Sequence, residues 1–458
     1  MTLADVALAT GGQLSGGADP AQIVTAPTAF DSRTVEAGGL FACLAGARAD
    51  GHDYADQAIE AGVVAVLATR PTGVPAVLVD NVIVALGDLA RAVATRYTGT
   101  VLAITGSAGK TSTKDLLVQI LEEDRSVVAT ARSFNNELGF PTTVLRVRTD
   151  TDILVLEMGA RGKGHISHLA QIARPSVGAV LGVGTAHLGE FGTKQAIADA
   201  KRELVEALDA SGTAVLNGDD PFVRAMAEST AASILWFGTT EDADVRASAV
   251  TLDEHARARF ILSYENYSAP VHLRVVGEHH LTNALAAAAL ALSVGVPFSV
   301  VVDGLKAARL LSGSRMEVTD RADGVTVIND AFNASPESVS AALRSLVVLA
   351  AADRPSIAVL GEMRELGDTA AEVHAEIGRQ VATLGIGQLI TVGGPNAVVM
   401  AEAARASNSA ALLHVAHVAK KDHLLPVLAR TMCGRDVVLF KGANSAALFE
   451  TAATLASI

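Results

Sequence analysis

The 458-residue chain has only two cysteines, Cys43 and Cys433, far apart in the sequence. That excludes a disulfide framework and a cysteine-based metal site, and it suits the cytoplasm. Cations are in deficit too, at a formal net charge of -13. General binders of nucleic acid or of membrane surfaces need surplus Lys and Arg, so both classes are excluded and any anion must be held at a local site. Long apolar runs are missing. The N-terminal stretch MTLADVALATGGQLSGG has no basic leader, and its apolar run is too short for a signal peptide. The most membrane-like segment, residues 281–298 (LTNALAAAALALSVGVPF), carries Asn283 and is mostly alanine, so it reads as a buried helix. With 19% charged and 50% hydrophobic residues the chain is no disordered polymer. At roughly 100–200 residues per domain, its length predicts about three domains.

Residues 1–99 alternate short apolar runs with Gly, Pro and Asp punctuation, as a small α/β domain would. From residue 100 the rhythm changes to apolar runs separated by helical patterns, the mark of βαβ units and a parallel sheet. The runs are VLAIT (101–105), DILVLEMG (152–159), VGAVLGVG (177–184) and TAVLNGDD (213–220). Residues 245–276 are more irregular and lean toward β structure, and the alanine-rich helix follows. After residues 310–314 (LLSGS) the βα rhythm restarts with VTVIND (325–330), SIAVLGE (356–362), QLITVGG (388–394) and DVVLFKG (436–442), which predicts a second parallel sheet. The expected domains are therefore 1–99, 100–311 and 312–458. In open α/β sheets ligands sit beyond the carboxyl ends of the strands, so residues just after each run are the candidates.

The stretch AITGSAGKTST (103–113) follows a buried strand and opens a helix. In that setting Gly106, Ser107, Ala108 and Gly109 can wrap backbone N–H groups around a polyphosphate, Lys110 can reach its β- and γ-phosphates, and the Thr111 hydroxyl can ligate Mg²⁺. Glu157 ends an apolar strand, where an acid faces either a cation or solvent. His187 holds the equivalent position on the next strand. Lys201 shares a helix with Glu203 and Glu206 and by pattern alone is a solvated face. Asn135 and Asn136 offer amide groups for a sugar or phosphate, or else simple turn chemistry. In the last third Asp330, Asn333, Glu362 and Lys441 each follow a strand and make a second polar crevice.

Taken together, the segments DSRTVEAGGLFACLAG (31–46), TGSAGKTSTKD (105–115), NNELGFPTT (135–143), LEMGARGKGHI (156–166), AHLGEFGT (186–193), GEHHLTNALAAAA (277–289), NDAFNASPESV (329–339) and GEMRELG (361–367) resemble the Mur ligase family over essentially the whole chain. The family's glycine loop has this shortened form. The resemblance implies three α/β domains: a small N-terminal one recognising a UDP-linked substrate, a central P-loop parallel-sheet ATPase domain, and a C-terminal Rossmann-like domain binding the incoming dipeptide. It implies an ATP-dependent amide ligase working through an acyl phosphate, with UDP-N-acetylmuramoyl-tripeptide and D-alanyl-D-alanine as substrates; the alternative within the family is a ligase adding a single amino acid or acting on folate. Lys110, Glu157, His187 and Lys201 would be catalytic. Thr111 with Glu157 would hold one Mg²⁺, His187 would serve a second, and Lys201, carried as a carbamate, would be a carboxylate-like metal ligand. Asn283 would lie against adenine, Arg315 and Asp330 would reach phosphates and ribose, and Ser32, Arg33, Asn135, Asn136 and Asn333 would contact the substrates. No DNPR string occurs in the last third, and GEMRELG resembles the GDMxELG segment of the dipeptide-adding branch. KGANS (441–445) replaces a KGSRS-like segment, and LSGSRMEV replaces a proline-glycine-arginine approach to Arg315. A monomer with no membrane span is expected, with residues 312–314 as its hinge. A non-catalytic nucleotide-binding module is the rival from another class.

Overall fold

The computed structural model describes every residue except 47–48, 132–133, 352–353, 408 and 413. Three separate sheets carry the chain. The first has five strands in the order Gln13–Ser15, Ala76–Leu78, Ala65–Ala68, Leu40–Ala42 and Thr28–Ala29, antiparallel at the first pair and parallel elsewhere. Helix Val82–Arg96 closes it. Asn81 caps this helix by accepting from Ile83 N and Val84 N, and Val82, Ala85, Leu86, Leu89 and Ala90 form its buried stripe at helical spacing.

The central sheet has nine strands, in the order Tyr267–Val276, Arg257–Tyr264, Val245–Leu252, Ser233–Gly238, Thr213–Asn217, Val177–Val180, Thr100–Thr105, Ile153–Glu157, Val127–Ala129. Both faces are covered, as the fully apolar strand sequences require. Helices Lys110–Leu121, His280–Ser293 and Phe298–Ala307 lie over one core, and Gly139–Val144 and His165–Ala173 over another. The alanines from Ala284 to Ala291 are all buried and let helix His280–Ser293 approach the loop helix closely. It is thus a core element, and among the described residues no helix is long and apolar enough to cross a membrane. Residues 245–276 are less irregular than their sequence suggests. They form three long strands that extend the same sheet, the first parallel to its neighbour and the next two antiparallel.

The third sheet runs Glu317–Asp320, Thr326–Asn329, Val437–Lys441, Ser356–Gly361, Gln388–Val392, His414–Val418. It is parallel except at the first pair, where an antiparallel edge strand departs from the all-parallel expectation.

Candidate functional site

Strand Thr100–Thr105 lies between Ile153–Glu157 and Val177–Val180. The chain builds the sheet outward in both directions from there, so the loop after this strand stands at a topological switch point. Gly109 there has φ 84°, and a Cβ on it would meet Asn283 Oδ1 at 2.2 Å; both facts demand glycine. Lys110 opens the following helix and donates from Nζ to Gly106 O at 2.7 Å. Ser107 and Ala108 line the cleft in front of the loop, and the Ser107 hydroxyl is buried without a hydrogen-bond partner among the described residues.

Directly behind the loop, Thr111 Oγ1 donates to Glu157 Oε2 at 3.0 Å. Glu157 is 0% exposed, and its Oε1 has no hydrogen-bond partner among the described residues. Burial pushes this carboxyl up, while the charges of Lys114, Lys110 and Arg315 pull it down. A carboxylate oxygen left bare beside a threonine hydroxyl is the hard-oxygen donor set that suits Mg²⁺. Lys201, read from its helix as a solvated face, is instead 5% exposed. Helix Lys194–Glu206 packs on helix His165–Ala173, and Glu203 turns inward with Lys201 to accept from Gly164 N and Ser167 N at 2.6 and 3.0 Å. Only Glu206 of the trio is exposed. Desolvation first, and the charge of Lys110 second, lower the Lys201 amine to about 7. His187 has φ 64° and sets Nδ1 against the Glu365 carboxylate, with Glu190 at 3.9 Å. Burial lowers its pKa against the pull of Glu365.

The third sheet closes the front. Ser107, Lys110, His187, Asn283, Arg315, Asp330 and Asn333 line a cleft of about 210 Å³. Arg315 stacks its guanidinium 4.2 Å from the Phe332 ring centroid and lies within electrostatic reach of Glu157. Asp330 accepts from Lys441 Nζ at 2.5 Å and from Met316 N at 3.1 Å. Asn283, which the resemblance sets against adenine, pairs with His280 Nδ1 at 3.1 Å and accepts from Thr113 Oγ1 at 3.4 Å. Two histidines that the sequence reading passed over, the half-buried His279 and the buried His280, sit in the same cleft with ring centroids 4.2 Å apart. Desolvation lowers both.

Also unread in the sequence were the clasps between the second and third sheets. Glu337 Oε1 accepts from Thr185 N and Oγ1 at 2.7 and 2.8 Å, and Gly189 N donates to Glu365 O at 2.8 Å. The Asp115 carboxylate accepts from Leu311 N, Ser312 N and Ser312 Oγ at 3.1, 2.8 and 3.2 Å. On the N-terminal side, Phe30 and Phe134 meet edge to face at 6.0 Å, which draws the loop of Ser32 and Arg33 toward that of Asn135 and Asn136. Arg33 is exposed and paired with Asp31 at 2.7 Å. Asn135 lines the cleft, whereas Asn136 Oδ1 accepts from Gly139 N at 3.0 Å, a turn bond. A further pocket of about 390 Å³ opens beyond the carboxyl ends of the third sheet, lined by Glu362, Arg364, Gly393, Gly394, Lys421 and Ala446, with Arg364 4.0 Å from the Glu362 carboxylate and Lys421 paired with Glu450.

Family models match most of the chain: Mur ligase family, catalytic domain, over residues 28–95; Mur ligase middle domain over 104–291; and Mur ligase, glutamate ligase domain, over 314–444. The UDP-N-acetylmuramoyl-tripeptide--D-alanyl-D-alanine ligase of Mycobacterium tuberculosis is 46% identical, across 94% of this chain and 92% of that protein. Among solved structures, MurF from Acinetobacter baumannii matches with TM-score 0.87 and 29% identity, covering 100% of this chain and 99% of that one. MurF ligase from Thermotoga maritima in complex with ADP matches with TM-score 0.79 and 29% identity, covering 94% and 97%. With identity sustained along nearly its whole length and its three α/β units laid out as in those structures, the chain belongs to the Mur ligase family.

Proposed function

We propose that the protein is the ATP-dependent ligase that joins D-alanyl-D-alanine to the C-terminal carboxylate of UDP-N-acetylmuramoyl-tripeptide, making the pentapeptide precursor of peptidoglycan. The observation that carries this reading is the loop of residues 361–367. Within it, Glu365 touches His187 in the phosphate cleft, and three residues earlier Glu362 borders a pocket that Arg364 and Lys421 also line. In this reading the pocket takes a small zwitterion, whose ammonium goes to Glu362 in place of the 4.0 Å Arg364 contact and whose carboxylate goes to Arg364 and Lys421, with glycines and alanines leaving room for methyl groups.

In this reading residues 1–99 recognise the UDP end, with Ser32, Arg33, Asn135 and Asn136 along it. Residues 100–311 bind ATP and residues 312–458 bind the dipeptide. Gly106 to Gly109 enclose the phosphates, and Lys110 leaves Gly106 O to neutralise the γ-phosphate as the tripeptide carboxylate attacks it. Asn283 packs at the adenine edge, and Arg315 and Asp330 reach phosphates and ribose across the cleft. Thr111 with Glu157, and His187 with a carbamylated Lys201, would hold two Mg²⁺ ions, which when bound screen the charge on the transferred phosphoryl group. The dipeptide amine, oriented by Glu362, attacks the acyl phosphate carbon, and the tetrahedral adduct collapses with loss of phosphate. The clasps made by Glu337 and Glu365 hold the third sheet over the cleft and exclude the water that would hydrolyse the acyl phosphate. We place the enzyme in the cytoplasm as a monomer.

Incubation with ATP, UDP-N-acetylmuramoyl-tripeptide and D-alanyl-D-alanine, followed by mass spectrometry, is expected to give the tripeptide plus dipeptide less one water. Phosphate release indifferent to any amine acceptor would sink the assignment.

A further inference from the structure

A cavity of about 560 Å³ is remote from the cleft. It lies where helix Val82–Arg96 meets the segment 145–151 of the central unit, at the amino ends of strands Thr28–Ala29 and Leu40–Ala42. Ser32 and Arg33 follow the carboxyl end of the first of these strands, so the cavity opens at the other edge of the N-terminal sheet from the expected UDP-substrate residues. Its volume falls within the ~300–1,000 Å³ of small-molecule sites.

Its chemistry is two-sided. Val6, Leu40 and Leu89 are at most 2% exposed and form an apolar base, with Val93 and Val147 beside them. Arg96, Arg146 and Arg148 stand at the rim, and no lining residue is acidic. Of the three, Arg96 has an acid outside the lining, Asp5 at 3.5 Å, and Arg146 donates to Ala129 O at 3.2 Å. Neither Arg146 nor Arg148 is paired with a carboxylate among the described residues. In a chain with a net charge of -13, three arginines and no acid around an apolar base are a local reversal of charge. Tyr97 also lines the cavity and has a buried hydroxyl with no hydrogen-bond partner among the described residues. Burial pushes this phenol up to about 12, so it stays a neutral donor.

We propose that this cavity is a second ligand site, which takes a small anion with an apolar body: the arginines hold a carboxylate, sulfonate or phosphate head, and the aliphatic base takes the body. A ligand there touches both the N-terminal unit and segment 145–151 of the central one, so its binding couples to their relative orientation.

The test is a fluorescence titration of the full chain with anilinonaphthalene sulfonate, an aromatic anion, in parallel with uncharged phenylnaphthylamine. One saturable site is expected for the anion, about tenfold or more tighter than for the neutral dye, the scale of a charge-assisted contact. Arg148→Glu, at an exposed position, and Val93→Trp, which fills the cavity, should each weaken the anion about tenfold or more. Both variants should keep the wild-type circular dichroism and ligation rate. If Val93→Trp does not fold, Arg148→Glu decides alone. Absence of a saturable site, equal affinity for the neutral dye, binding unchanged in Arg148→Glu, or displacement by ATP or UDP would each overturn the proposal.

Discussion

At neutral pH about half of the Lys201 side chains carry no proton, because burial and the charge of Lys110 bring the amine to about 7. Only a neutral amine can attack CO₂, which supports the proposed carbamate. Lys201→Ala should lower ligation by about a hundredfold or more, and CO₂-depleted wild-type enzyme should regain activity with bicarbonate. An active alanine variant together with a wild type indifferent to bicarbonate would remove the carbamate. The same shift has a stability consequence. Between about 7 and the ordinary 10.5 the unfolded chain binds a proton at this lysine that the folded chain does not, so stability rises with pH across that window. Lys201→Met should therefore stabilise CO₂-free protein in urea melts by about 4 kcal/mol at pH 7 and only about 1 kcal/mol at pH 10. Thiol labelling gives a second residue-scale check. Burial pushes the Cys43 thiol up to about 12, with Asp50 adding to it, while Cys433 is exposed. A thiol reagent at pH 8 should consume one group in the folded protein and both in denaturant. At this scale Glu157 was legible, since an acid ending an apolar strand is costly without a partner. Lys201 was not: its neighbours Glu203 and Glu206 imply one polar face, and only packing against helix His165–Ala173 reveals that two of the three charges point inward.

The helix Lys110–Leu121 does more than present phosphate donors at its start. Asp115, on its second turn, is 0% exposed, takes Lys114 Nζ at 2.7 Å, and receives both backbone donors of the segment leading into the third sheet. Any displacement of this helix by a bound nucleotide is therefore passed to residues 311–312. Asp115→Ala strands the buried Lys114 ammonium and removes the acceptor of two part-buried N–H groups, at a cost of about 3 kcal/mol in urea melts. Beyond this loss, the variant should become newly sensitive to proteolysis between residues 309 and 315. A variant as stable as the parent would show that the clamp is not formed in solution. Element by element, the βα units were readable because buried parallel strands are short apolar runs bounded by turn residues. The extension of the central sheet by residues 245–276 was not, because pairing such as Val245 with Phe237 and Tyr264 is a choice of partner, invisible to local pattern.

Over the whole molecule, the cleft of about 210 Å³ is smaller than the ~300–1,000 Å³ that small-molecule ligands occupy. The second and third sheets must part to admit ATP and meet again for the reaction. None of the clasps that hold them together was legible in the sequence, since Thr185 and Glu337 are 152 positions apart and each is an ordinary loop or first-turn residue in its own surroundings. Backbone shape contributes as much as charge: a Cβ on Gly189 would lie 2.4 Å from Gly367 N, so only glycine lets the two loops approach. Glu337 accepts two hydrogen bonds that are open to solvent, each worth about 1 kcal/mol. Removing it as Glu337→Ala should move the ligand-free population toward the parted state by roughly tenfold or more. Small-angle scattering should then report a larger radius of gyration than in the wild type, and nucleotide with tripeptide should bring the two profiles closer. Because the parted cleft admits water to the acyl phosphate, phosphate release should exceed pentapeptide formation in the variant while the two remain equal in the wild type. Scattering profiles that superimpose with and without ligands, in variant and parent alike, would mean that closure has no part in the reaction.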